Sequence, residues 1–548
     1  MTIQSSSKDY SLDGVTTKIP TISPADLHAE AGDSGEIAIV DVREGNRYET
    51  GHISIAVQLP LSEIELRVKQ LLPRKGIRLV VTDDGGGSIG ERAVRRLAEL
   101  GYSNVRLLEG GVANWRDAGF ELITGLNSLS KALGEFVERR YHTPKISAEE
   151  LHGKIASGED IVILDTRPLD EFHHISIPGA LAAPGAELLY RAFDAVRSPD
   201  TPVIINCAGR TRAIIGAQAL RNAGFPNPVV SLENGTAAWL LAGYEPGRHA
   251  TEIAAVPTPE GLTRAKQAAQ EIAARFEVPR IDVGRLERFR AERHERSLYL
   301  FDIRTADEFL AGHLPGSRSA PGGQLIQATD TFVGTREGRI VLIDDEDAVR
   351  ATITASWLIQ LGLENVFVYA AHAGDFSELG ETPTPVLDAS SDITGISPKQ
   401  AHLLLSSEHG VVLDLDPAPP YFRERHYIPG SHVARRSTLE TSLDRVPGTG
   451  PIVLTSTDGD LARLAAVDLR RHTSREVLPL EGGTNAWIAA GLDHRTGLDQ
   501  PALNSAEALA PSPTLEERRV NLDAYVKWGD VITDQLARDG LVHFRAFD

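Results

Sequence analysis

Four apolar, β-branched runs recur along the chain, and each ends on an acidic residue: Ile37-Ala-Ile-Val-Asp41, Ile161-Val-Ile-Leu-Asp165, Leu298-Tyr-Leu-Phe-Asp302 and Val411-Val-Leu-Asp414. Such runs lack the polar alternation of a half-exposed strand, so they predict parallel strands buried on both faces. A short helix-like stretch and a turn follow each run, around Gly51-His52-Ile53, His174-Ile-Ser-Ile-Pro-Gly179, Gly312-His313-Leu-Pro-Gly316 and His426-Tyr-Ile-Pro-Gly430. A second buried strand comes next, at Arg78-Leu-Val-Val81, Val203-Ile-Ile205, Ile340-Val-Leu-Ile343 and Ile452-Val-Leu454, and then an amphipathic helix.

Three of the four units close on a glycine turn feeding a tryptophan helix: Leu108-Glu-Gly-Gly-Val-Ala-Asn-Trp115, Leu232-Glu-Asn-Gly-Thr-Ala-Ala-Trp239 and Leu480-Glu-Gly-Gly-Thr-Asn-Ala-Trp487. The third copy, Tyr369-Ala-Ala-His-Ala-Gly-Asp-Phe376, keeps only an aromatic. From Glu109 to Glu233 is one period and from Glu233 to Glu481 is two, the mark of a tandem repeat. The pattern predicts an α/β fold of four tandem domains, each a mainly parallel sheet flanked by helices, at residues 18–125, 141–248, 277–380 and 393–495. Segments 128–140 and 261–276 read as linker helices, and 381–391 as a Pro/Ser linker. In the tail, 511–548, Pro511-Ser-Pro-Thr514 caps a helix running to about Ala537.

Composition narrows the function classes. With 548 residues, 41% hydrophobic and 24% charged, the chain has apolar material for several cores. A net charge of −20 argues against nucleic acid or an anionic membrane as partner, since both repel it at long range. The opening MTIQSSSKDYSLDG has neither a basic start nor an apolar run, and no stretch of about eighteen apolar residues occurs, so the expectation is a soluble, cytoplasmic protein. The single cysteine forms no intrachain disulfide and builds no thiolate cluster, and neither metal nor cofactor is expected.

That cysteine, Cys207, stands where a buried strand gives way to a helix, the position at which open parallel sheets bind ligands. In Cys207-Ala-Gly-Arg-Thr-Arg212, Gly209 lets the backbone curl, turning loop amides and the start of the helix near Ala213 inward at the sulfur. Such a cradle is expected to stabilise a thiolate and lower its pKa, and the same amides suit an anionic substrate. Arg210 and Arg212 add planar forks matched to a sulfonate- or sulfate-like group. The competing reading is an inert, buried small hydrophobe, and two arginines around the thiol argue against it.

Taken in order, the Asp-x-Arg strand end, the Gly-His-x-Pro-Gly turn, the cysteine loop and the Glu-Gly-Gly…Trp segment resemble the rhodanese family of sulfurtransferases, over nearly the whole chain. The resemblance implies that Cys207 takes the outer sulfur of a thiosulfate-like donor as a persulfide and passes it to cyanide or a thiol. It implies that Ala208, Gly209, Arg210, Thr211 and Arg212 cradle the persulfide and donor, with Asp165 and Arg167 supporting the loop from behind. Phosphatase and arsenate-reductase relatives use a loop one residue longer, and the Cys-Gly-x-Gly-Val-Thr loop associated with mercaptopyruvate differs, so a thiosulfate-like donor is favoured.

Aligning the copies on their helices puts Asp84, Asp345 and Ser456 at the cysteine's place, so the other three domains are expected to be silent. With no second thiol, the persulfide needs an external acceptor: cyanide, a small thiol or a dithiol protein. The alternatives are a sulfur carrier or scaffold without turnover and, with less support, a phosphatase or arsenate reductase. Histidines 52, 174, 313 and 426 recur in units lacking the cysteine, which points to a structural role.

Overall fold

The computed structural model describes residues 11–12, 15–16, 19–85, 87–383, 386–387, 393–407, 410–416, 425–497, 499–504 and 514–547. The first of the repeated sheets sets Thr21–Ile22, Val105–Leu108, Arg78–Thr82, Ile37–Asp41 and Val57–Gln58 side by side, all parallel. The second repeats that order with Lys145–Ile146, Val229–Leu232, Val203–Asn206, Val162–Asp165 and Leu181–Ala182. The third has Val366–Ala370, Arg339–Asp344, Leu298–Asp302 and Arg318–Ser319, and a fourth parallel sheet has Val477–Pro479, Ile452–Thr455, Val411–Asp414 and His432–Val433. In these two the opening strand shrinks to single bridges, Arg280 with Val368 and Ile396 with Leu480. The apolar runs therefore form the central strands, where both faces are covered and a polar side chain would have no water.

The copies are not independent beads. Leu188, Leu189 and Ile214 of the second unit share one apolar core with Leu325, Ile353 and Trp357 of the third. Within that interface the buried Arg350 guanidinium reaches across to Glu187 at 2.8 Å. The first unit meets the domain of the fourth sheet through Leu66, which packs on the core around Leu413 and Leu439, and through Arg436, which donates to both carboxylate oxygens of Glu65 (2.7 and 3.0 Å).

Two helices outside the repeats bear on the site. Ser128–Tyr141 links the first two units and lies against the helix Thr211–Asn222, closely enough that a Cβ on Gly134 would stand 3.1 Å from the Thr211 methyl. The C-terminal helix, Leu515–Asp539, starts at a capping box in which the Thr514 hydroxyl accepts from the Glu517 amide while Glu517 accepts from the Thr514 amide. It runs two residues past the expected end and stops at Gly540 in the left-handed region, φ 72°. Residues 511–513 and most of the Pro/Ser linker lie outside the described residues. The other linker helix is Pro259–Arg275, and the third unit replaces the tryptophan helix by a short turn, Ala373–Asp375. No described helix is long and apolar enough to cross a membrane.

Candidate functional site

Val203–Asn206 is buried throughout, and its last side chain prepares the loop. The Asn206 amide donates to Asp165 Oδ2 on the neighbouring strand (2.6 Å) and to Thr236 Oγ1 (3.1 Å). Asp165 also receives Arg167 Nε (2.9 Å) and Nη2 (2.8 Å), while Arg167 donates to the Ile175 carbonyl (2.6 Å). Both charges are buried, so the fork-to-carboxylate geometry is what makes the pair tolerable away from water. Asp165 and Arg167 thus lie behind the cysteine loop, tying one strand end to the next.

Cys207 follows, and the amides of Gly209 and Ala213 donate to its sulfur. The helix begins at Thr211, so its first turn lies directly beside the thiol. The cradle forms as the sequence suggests, yet the thiolate expectation needs correcting. Cys207 is only 2% exposed and belongs to the apolar core, with Ile205 and Ala213. Burial pushes its thiol up from the ordinary cysteine value, and the opposing pull of the Arg212 charge and the two amides does not overcome it. Desolvation of a charged sulfur here outweighs the pull of one guanidinium and a few partial charges.

The two arginines take different parts. Arg212 is gripped by Glu171 through Nη1–Oε1 and Nη2–Oε2 bonds of 3.0 and 2.9 Å, and its charge reaches the sulfur. Arg210 instead turns to the linker helix, donating to both oxygens of Glu135 (2.9 Å each) and to Glu138. Two carboxylates thus claim its fork, which ties the loop to the linker helix. Ala208 is exposed, Gly209 and Arg212 are half-buried, and Thr211 is buried. Reasoning from sequence did not single out Asn206, Glu171, Glu135 or Thr236. Thr236 lies within the tryptophan-helix motif, and Asn206 and Glu171 stand beside the cysteine loop and the turn at His174, whereas Glu135 gives no local signal.

Strand register corrects the alignment of the other copies. Asp165 pairs with Asn206, as Asp41 pairs with Thr82, Asp302 with Ile343 and Asp414 with Thr455. The residues at the cysteine's place are therefore Asp83, Asp344 and Ser456; Asp84 and Asp345 stand one position later, because the loops of units one and three hold an extra residue before the helix. Asp83 accepts from the Gly85 and Gly90 amides (2.7 and 3.1 Å), Asp344 from Asp345 and Ala351 (2.9 and 3.0 Å), and Ser456 from Gly459 and Ala462 (3.1 and 3.4 Å). A carboxylate fills two of these cradles as a built-in anion. Asp84 serves Arg43 and Arg47 (3.0 and 2.8 Å), and Asp345 serves Arg350 (3.0 Å).

The histidines divide as well. His52 and His313 are buried and occupy the same bridge position, and each ring stacks on an aromatic one turn earlier, Tyr48 and Phe309. In the second unit Ser176 takes that position, so His174, like His426, is exposed and does not belong to the series.

Comparison with known proteins fits this geometry. A family model described as rhodanese-like domain matches residues 23–118, 147–242 and 286–377, more than half of the chain. The chain belongs to the rhodanese family. A solved structure of thiosulfate sulfurtransferase from Pseudomonas aeruginosa is 39% identical, covers 97% of this chain and 100% of its own, and superposes with a TM-score of 0.88. A probable 3-mercaptopyruvate sulfurtransferase of the same organism is 29% identical over 30% of this chain and 66% of its own length. A putative sulfur carrier protein, YrkF, of Bacillus subtilis is 29% identical over 18% of this chain and 52% of its own. The chain spans between 40% and 66% of the lengths of the curated relatives it matches.

Proposed function

We propose that the protein is a sulfurtransferase with one working site, at Cys207, that moves sulfane sulfur from a thiosulfate-like donor to cyanide or a thiol. The observation that carries this reading is the lone sulfur at a strand-to-helix turn, met by the Gly209 and Ala213 amides beside the Arg212 charge. The matched segments that include the cysteine and its supports add weight, as does the name of the 39% identical solved protein, a thiosulfate sulfurtransferase.

In the proposed reaction the Cys207 thiol first gives its proton to solvent, a step the anion-stabilising amides and Arg212 make less costly. The thiolate attacks the outer sulfur of thiosulfate. The new S–S bond forms as the old one breaks, and sulfite leaves with the electron pair. The terminal sulfur of the persulfide then carries the negative charge and takes the loop amides, with those of Ala208 to Arg212 turned toward it. Cyanide attacks that sulfur, thiocyanate departs, and the Cys207 thiolate returns. No outside oxidant or reductant is needed. With one cysteine in 548 residues the acceptor is external, a small thiol or dithiol protein being the other candidates.

We count the fourth parallel sheet as a fourth copy of the domain. Asp83, Asp344 and Ser456 leave it and copies one and three without a sulfur nucleophile. A carrier that binds sulfur without turnover is the second reading, favoured by the burial of the thiol and by the name of the Bacillus relative. Thiosulfate:cyanide turnover of the wild type beside Cys207→Ser decides between them. Multiple turnover lost in the variant supports the enzyme, one sulfur bound without turnover supports the carrier, and equal activity in both proteins ends both readings.

A further inference from the structure

The C-terminal helix comes to the Cys207 loop from outside the repeated unit. From Gly529 onward it is fastened. Ile532 and Leu536 bury against Ile123 and Ala132, Arg139 donates to Thr533 Oγ1 and to the Asp530 carbonyl (2.9 Å each), and Arg538 pairs with Glu121 at 2.6 Å. One turn before this anchored part, Tyr525 lies on the loop. Its ring edge stands 3.6 Å from the point a Cβ on Gly209 would occupy, and its hydroxyl is 3.5 Å from Thr211 Oγ1.

Lys131 holds the ring in place. Its ammonium lies 3.9 Å from the Tyr525 ring centroid, and it donates to Glu135 at 2.6 Å; Glu135 in turn accepts the Arg210 fork. Lys131 and Glu135 are buried, so this cation–π contact is made out of water, where such contacts are strongest. Tyr525, Lys131, Glu135 and Arg210 thus join the C-terminal helix, the linker helix and the loop into one chain of contacts.

Within the loop, Ala208 is exposed and Gly209 half-buried, while Arg210 and Thr211 are buried. Solvent therefore meets this side of the loop at residues 208–209, and the ring borders that opening. We infer that Tyr525 forms one wall of the approach to Cys207 and sets how broad a reactant reaches the sulfur. The inference rests on the reading of Cys207 as the sulfur-carrying residue. Slender acceptors such as cyanide or a small aliphatic thiol pass the wall, and broad ones are held off.

Because Cys207 is the only thiol, alkylation of the intact protein reports on it alone. Tyr525→Ala is expected to raise the rate constant for a bulky maleimide dye by about tenfold, and that for iodoacetamide by about twofold or less. Tyr525→Phe keeps the ring and is expected to match the wild type with both reagents. An unchanged ratio of the two rate constants in Tyr525→Ala overturns the inference. If that variant loses its helical circular dichroism, Tyr525→Leu is read by the same two rates. Loading of one sulfur from thiosulfate, followed by intact mass on the same proteins, is a separate readout. Its absence in the wild type defeats the functional reading, while the alkylation ratio still decides the wall.

Discussion

Glu171 grips Arg212 through two parallel hydrogen bonds, and Arg212 is the cation whose charge reaches the Cys207 sulfur. Burial pushes this thiol up, so the guanidinium acts against the main force on the group. Arg212→Gln is expected to move the pH midpoint of Cys207 alkylation upward. It also removes the positive charge beside the sulfur, and kcat/KM for an anionic donor such as thiosulfate is expected to fall by at least about tenfold. A midpoint that stays put or falls contradicts this role.

Asp165 holds Arg167, Asn206 and, through them, the strand ends on which the loop rests. Asp165→Ala leaves the buried Arg167 guanidinium without its carboxylate, at a cost of about 3–5 kcal/mol. Urea unfolding followed by circular dichroism is expected to begin at clearly lower denaturant in Asp165→Ala. An unshifted transition would show that the pair supports nothing.

His52 titrates far below an ordinary histidine, from 6.5 down to about 4, chiefly because burial disfavours its charged form. A depressed folded value means that the neutral ring stabilises the fold fully above about 6.5 and that this contribution is withdrawn as pH falls toward about 4. At full extent it is on the order of 3 kcal/mol. The Tm of the wild type is expected to drop across that window more steeply than that of His52→Phe, and parallel Tm curves would contradict the assignment.

Ser456 occupies the cysteine's place in the fourth unit and accepts the Gly459 and Ala462 amides, but the loop from Ser456 to Ala462 contains no arginine. Ser456→Cys in a Cys207→Ser background is expected to accept one sulfur from thiosulfate at a rate lower than that of Cys207 by at least about tenfold. Loading as fast as at Cys207 would show that the arginine is dispensable.

Much of this was legible along the chain. The apolar runs around Ile37, Ile161, Leu298 and Val411 became the buried strands, since an uninterrupted run has only one environment that suits it. The cysteine loop was legible because strand, glycine and helix start lie within ten residues. What failed depended on register or on distance in sequence. Aligning the helices points to Asp84 and Asp345, and an extra loop residue puts that off by one; only the ladder partners of Asp41 and Asp302 fix the position. Tyr525 and Lys131 reach the loop from other elements, and no local pattern signals such a meeting. The thiol's upward shift was missed because amides and arginines can be read from sequence whereas desolvation cannot.

The most direct test of Cys207 as the sulfur-carrying residue is intact mass of the protein after brief treatment with thiosulfate, followed by peptide mapping. The account predicts the gain of a single sulfur on the peptide containing Cys207, removed by cyanide with release of thiocyanate. A protein whose mass does not change, or a loaded sulfur that persists in Cys207→Ser, would contradict it.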